Sequence, residues 1–245
     1  MKKLLFAALV AATPPLAPAM AQTAPAPAMA AAPAPAAKPE FHYFAATDYL
    51  PQRVLAMPPA RGSQEEAREL EFVRKEIAAA SPERLAQAAW DDTHEDPTLF
   101  NAVLGRDLTR LPATWALLLA VQNEADAAAD QAKEAFGRMR PFGIDETIKT
   151  CVKANPAKAL RSYPSGHATV GYSVGWALAR LMPDFAPYIL DRAHDYAESR
   201  VICGVHFASD VEASHVLATV VTERLLADPR MADKVAAARA ELNAR

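Results

Sequence analysis

The chain has 245 residues, 51% of them hydrophobic, with 26 Lys+Arg against 29 Asp+Glu and a formal net charge of −3. That balance argues against a nucleic-acid partner, which calls for a basic face. The length suffices for one domain with a real core.

Met1-Lys2-Lys3, an apolar run over residues 4–12 and the small-x-small Ala19-Met20-Ala21 read as a secretory signal peptide over residues 1–21. The apolar run falls short of the roughly 20 residues a bilayer span needs, so an uncleaved anchor is the weaker alternative. Removing this leader removes two lysines and no acid, so the remainder is more acidic still. Residues 22–38 are almost all Ala and Pro, an extended linker that cannot bury a core. It is taken as an inert extension rather than a tether. Residues 39–245 have ordinary composition and make up the domain. The longest later apolar run, residues 111–122, leads into Asn123-Glu124 and reads as a buried helix, so no membrane span is expected. Cys151 and Cys203 form an even pair, which in an exported protein favours a disulfide over two buried thiols.

Helical signals then follow one another, with no long strand-like alternation. Ser63 with Glu66 predicts a capping box opening a helix to about residue 79. Ser81-Pro82 predicts a helix to about residue 91, and Gly105 stops a short one. Residues 111–136 predict one long helix with Pro141 as its breaker, and residues 142–163 a long loop. Residues 165–182 are apolar nearly all round and predict a central helix. Residues 187–202 are amphipathic and stop near Gly204; residues 206–227 are the next helix, and Asp228-Pro229 caps a last one to about residue 243. The expected fold is all-α: a single-domain multi-helix bundle with an active site at helix ends.

Three motifs carry the chemistry. Lys133 stands before Arg140-Pro141; Pro164-Ser165-Gly166-His167 follows; Ser199-Arg200 precedes His206 and Asp210. A helix start at Ser165 and Gly166 offers free N–H groups and the positive end of the macrodipole, and Gly166 has no Cβ to keep an oxyanion away. His206 and Asp210 stand four apart, expected on one helix face, where the carboxylate can orient the ring. Lys133, Arg140 and Arg200 suit phosphate oxygens. Taken singly, each motif has a plain alternative: an N-cap beside a passive histidine, a surface His–Asp pair, or two cations at a helix C-terminus. His42, His94, His194 and His215 lack ligand spacing and read as structural or surface residues; Asp91-Asp92 with Glu95-Asp96 reads as a solvated acidic loop rather than a cation site.

The three motifs together resemble the signature of the phosphatidic-acid-phosphatase and vanadium-haloperoxidase superfamily: Lys-x6-Arg-Pro, Pro-Ser-Gly-His and Ser-Arg-x5-His-x3-Asp. The flanks Arg140-Pro141-Phe142, Ser162-Tyr163-Pro164, Val201-Ile202-Cys203-Gly204 and Ser209-Asp210-Val211 are similar to those of the bacterial class A non-specific acid phosphatases. Three departures bear on substrate preference: Ala168 where that family has Thr, Arg161 where it has Gly, and only Met57-Pro58-Pro59 of its proline-rich segment. The resemblance implies a periplasmic, metal-independent hydrolase of a broad range of small phosphomonoesters, with no cofactor and with homo-oligomerisation expected. It implies His206 as the nucleophile that becomes phosphohistidine, Asp210 as its orienting carboxylate and His167 as the general acid. Lys133, Arg140, Ser165, the Gly166 amide and Arg200 then bind the phosphate. Three readings compete: a vanadium-dependent haloperoxidase, against which size and flanks argue; a lipid phosphatase, which calls for membrane spans; and a non-enzymatic anion-binding helical module.

Overall fold

The computed structural model describes residues 38–244, which form an all-α unit. The expected signal peptide and all but the last residue of the 22–38 linker lie outside the described residues. In chain order the helices are α1 (Pro51–Val54), α2 (Gln64–Ala79), α3 (Pro82–Asp92), α4 (Asn101–Leu104), α5 (Pro112–Phe136), α6 (Pro141–Ile144), α7 (Gly166–Leu181), α8 (Ala186–Ile202), α9 (Ala208–Leu226) and α10 (Ala232–Asn243).

Local chemistry accounts for most boundaries. Ser63 and Ser81 accept from the backbone N–H of Glu66 and Arg84, so both serines cap as expected. The capping box at Ser63 is only half formed. The Glu66 carboxylate accepts from the Gly62 N–H and pairs with Arg61 instead of reaching back to Ser63. The long helix α5 ends earlier than its breaker: Gly137 adopts the left-handed region at φ +56 and its N–H returns to the Lys133 carbonyl. Pro141, expected to break that helix, starts α6.

The apolar helix α7 sits at the centre, packed on α5, α8 and α9, with α3 against α8 and α10 against α5. Val170, Val174 and Leu178 of α7 meet Leu117 and Val121 of α5, Ile189 and Tyr196 of α8 and Leu225 of α9 in one buried cluster. Each such side chain contributes about 1.5–3 kcal/mol of burial. Gly171 and Gly175 let α8 come close: a Cβ on Gly171 would lie 2.5 Å from the Tyr196 ring, and one on Gly175 3.0 Å from Ala193 Cβ.

This packing runs α5 and α8 with their C-termini, and α7 and α9 with their N-termini, into one end of the bundle. The Lys133 side chain reaches the Pro164 carbonyl, and the Ser165 N–H bonds the Asp210 carbonyl. Two positive dipole ends therefore meet the two helix ends that carry Lys133 and Arg200. The expected disulfide is present: Cys151, in the loop after α6, joins Cys203, just after α8, with Cα atoms 4.7 Å apart.

Candidate functional site

All eight motif residues gather at this end of the bundle. Ser165 is the N-cap of α7, its Oγ accepting from the Ala168 N–H, and Gly166 and His167 open the helix. A Cβ on Gly166 would lie 3.3 Å from Lys133 Nζ, so the missing side chain is what admits the lysine to the helix start. Lys133 lies in the last turn of α5, and Arg140 is the N-cap residue of α6. Arg200 occupies the last turn of α8.

His206 and Asp210 differ from expectation in one respect. They do not share a helix face, because α9 starts at Ala208 with Phe207 as its N-cap. Asp210 is the third helical residue, and its Oδ2 accepts from the Phe207 N–H at 2.9 Å while contacting His206 Nδ1 at 3.2 Å. The four-residue spacing is read by a capping carboxylate rather than by a helical turn. Both residues are fully buried. Asp210 also accepts from Ser162 Oγ at 2.6 Å and from Arg138 Nη1 at 2.6 Å. Because Asp210 accepts at Nδ1, that nitrogen carries the proton and Nε2 keeps its lone pair. Burial, then Arg140, Lys133 and Arg200, hold the His206 imidazole well below its ordinary range, so it is neutral.

Around this neutral ring stand cations with unused donors. Arg140 Nε, Arg200 Nε and Arg200 Nη1 are buried with no hydrogen-bond partner. Guanidinium N–H groups with no protein acceptor are suited to an oxyanion. Burial, then the neighbouring Arg200, lowers Arg140 to about 10; burial, then Arg140, lowers Lys133 to about 7. Burial comes first in both shifts, and the rest is repulsion between cations crowded together.

His167 is half-buried, with Nε2 3.0 Å from the Asp92 carbonyl and Nδ1 2.9 Å from Glu95 Oε1. This corrects the solvated acidic loop expected at residues 91–96. Asp91 is fully buried between Ser199 Oγ and Arg192, and Asp92 accepts from Arg200 Nη2. The carboxylates are drawn inward by two guanidinium groups of α8, Arg192 and Arg200. No motif includes Arg138, which bridges Asp210, Ser209 and the Glu69 carboxylate and lies over the Phe207 ring. Its one sequence signal is its place two residues before Arg140. Ser162 stands in the sequence only as a flank of the second motif, and Glu69 carries no sequence signal. Among the histidines expected to be structural or surface residues, His94 stacks on Trp90 and His194 pairs with Glu198.

No three or more His, Cys, Asp or Glu side chains among the described residues gather so as to hold a metal ion. An apolar cavity of about 560 Å³ lies elsewhere, between α2, α7, α8 and α9, and includes none of the eight motif residues. No described helix is long and apolar enough to cross a membrane.

Known proteins are similar to this chain over most of the described domain. Residues 113–231, which hold all three motifs, match the PAP2 superfamily. The chain is 34% identical over 199 residues to an acid phosphatase of Zymomonas mobilis, covering 78% of this chain and 75% of the relative. It is 29% identical to a non-specific acid phosphatase of Providencia stuartii, covering 83% and 86%, and 30% identical to one of Salmonella typhimurium, covering 76% and 78%. With its motifs gathered at one end of the bundle and relatives matched over most of their length, the chain belongs to the PAP2 superfamily, in its family of bacterial acid phosphatases.

Proposed function

We propose that the chain is an exported, periplasmic phosphatase that hydrolyses a broad range of phosphomonoesters through a phosphohistidine on His206, without a metal. One observation carries the reading: a buried, neutral His206, pinned through Nδ1 by Asp210, beside arginine N–H groups that have no acceptor. In this reading Lys133, Arg140, Ser165, the Gly166 amide and Arg200 hold the phosphate oxygens. Phosphoryl transfer asks mainly for positioning and charge stabilisation, which these cations and N–H groups supply. His206 Nε2 attacks phosphorus, the N–P bond forms as the ester P–O bond breaks, and the electron pair goes to the ester oxygen. His167 protonates that oxygen and then takes a proton from the water that cleaves the N–P bond. Asp210 stabilises the ring as it becomes cationic. Export rests on residues 1–21, and substrate breadth on the non-specific phosphatases among the relatives.

The test is hydrolysis of a chromogenic phosphomonoester by the purified mature chain, with and without chelator. Equal rates are expected, with inhibition by vanadate. His206→Ala should fold and lose at least about a thousandfold in kcat. Radiolabelled substrate quenched in alkali should leave label on the His206 peptide. Label on another residue reassigns the nucleophile, chelator-sensitive activity restored by a divalent ion removes metal independence, and halide oxidation with vanadate and peroxide would reinstate the haloperoxidase alternative.

A further inference from the structure

Both ring nitrogens of His167 face acceptors. Nε2 lies 3.0 Å from a backbone carbonyl, that of Asp92, which cannot donate, so Nε2 carries a proton. Nδ1 lies 2.9 Å from Glu95 Oε1. Burial works to raise the Glu95 carboxyl, but the His167 hydrogen bond and the charges of His167, Arg200 and Lys133 outweigh it and hold it below its ordinary range. The contact sets a Glu95 oxygen where it can accept a proton carried on Nδ1.

Glu95 is not a loose surface acid. Its carbonyl accepts from Gln122 Nε2 of α5 at 2.8 Å, and the carbonyl before it, that of His94, accepts from Tyr196 Oη of α8 at 3.0 Å. Asp96 closes the turn by capping Thr98. The turn after α3 is therefore clamped from two other helices, with the Glu95 carboxylate aimed at His167. Charged and titratable groups face this pair from every side: Asp92 from α3, Asp126 and Lys133 from α5, Tyr196 and Arg200 from α8, and His206 ahead of α9.

We propose that Glu95 is a positioning residue for His167. Its carboxylate holds Nδ1–H in the acid form of the ring and so leaves Nε2–H as the proton for the departing ester oxygen. The inference rests on the phosphatase reading above. As the His206 N–P bond forms and the P–O bond breaks, the ester oxygen takes the electron pair and the Nε2 proton. His167 is left neutral, with Nδ1–H still on Glu95. Nε2–H has only to turn from the Asp92 carbonyl to the incoming ester.

The experiment compares Glu95→Gln, His167→Ala and the double variant on an alkyl phosphate and on an aryl phosphate with an acidic leaving group. Values of kcat/KM report the step in which the leaving group departs. For Glu95→Gln, kcat/KM on the alkyl substrate is expected to fall about ten- to a hundredfold and on the aryl substrate by less than about threefold. The alkaline limb of the alkyl profile should move to lower pH. In the His167→Ala background, Glu95→Gln should add less than about twofold. An equal change on both substrates, tracking a tighter inhibition constant for sulfate, would assign Glu95 to anion repulsion and overturn the proposal, as would additivity with His167→Ala. Imidazole nitrogen NMR of the wild-type chain on the acid side of neutrality, with His167 identified from His167→Ala, is independent of whether the Gln variant folds. Two protonated ring nitrogens are expected, and one bare nitrogen overturns the proposal. If the wild-type chain hydrolyses neither ester, the phosphatase reading fails; if His167→Ala is sensitive to the leaving group and Glu95→Gln is not, only the role of Glu95 fails.

Discussion

Asp210 accepts from Arg138, Ser162, the Phe207 N–H and His206, so one fully buried carboxylate fixes the orientation of His206 and the start of α9 together. A buried charge is tolerable only with such a full set of partners. The next residue-scale consequence concerns pH. Lys133 is held at about 7 by burial and then by Arg140; Asp126, on the same helix, is raised to about 7 by burial and then by Glu95. Below that value Lys133 is charged and Asp126 neutral; above it Lys133 is neutral and Asp126 charged. Both changes strip positive charge from the pocket as pH rises, while His206, held low, stays neutral throughout. Sulfate remains a dianion over this range, so its binding reports the protein alone. Its inhibition constant should be flat on the acid side and rise about tenfold per pH unit for each proton lost above about pH 7. A constant that stays level into the alkaline range would show that Lys133 is not the group that sets the limb.

At the scale of elements, the site depends on how closely α7 and α8 approach, because α7 carries His167 and α8 carries Arg200. Gly171 faces the fully buried Tyr196, whose hydroxyl holds the His94 carbonyl and whose ring lies parallel to His167 at 6.3 Å. Alanine is the better helix former by about 1 kcal/mol. Here its methyl carbon would stand 2.5 Å from Tyr196 Cδ1, in a core with no room for the ring to move. Gly171→Ala should therefore lose about 1–3 kcal/mol net in denaturant unfolding, as overpacked cores do. An unchanged or higher midpoint would mean that the two helices separate without cost.

For the molecule as a whole, the Cys151–Cys203 bridge ties the loop after Arg140 to the turn before His206 across a separation of 52 residues. Ile148 of that loop also packs beneath Gly204, where a Cβ would lie 2.7 Å from Ile148 Cγ2. The bridge thus fastens the far wall of the site to the helix end that presents Arg200. In the chain-entropy account, closing a loop of this size stabilises by about 4 kcal/mol. Replacing both cysteines with serine should lower the thermal midpoint by roughly 2–4 °C for each kcal/mol lost. A midpoint matching the wild type, or two free thiols in mass spectra of the purified chain, would remove the bridge from this account.

The sequence alone determined what is local or periodic. The serine caps at Ser63, Ser81 and Ser165, the apolar run of α7 and the spacing within each motif all act over a few residues, and the all-α fold follows from them. Spacing by itself does not make a site, however. His194 and Glu198 stand four apart just as His206 and Asp210 do, yet that pair is more than half exposed, its side chains 58% and 51% accessible, with no arginine bonded to it. Burial at the convergence of four helix ends separates the two cases, and only packing creates it. The tertiary structure likewise decided the partners of Arg138, Glu69, Asp91, Asp92 and Glu95, which are distant in sequence from the groups they bind. Charge balance in a low-dielectric interior pairs such groups by proximity after folding, and no local pattern encodes it.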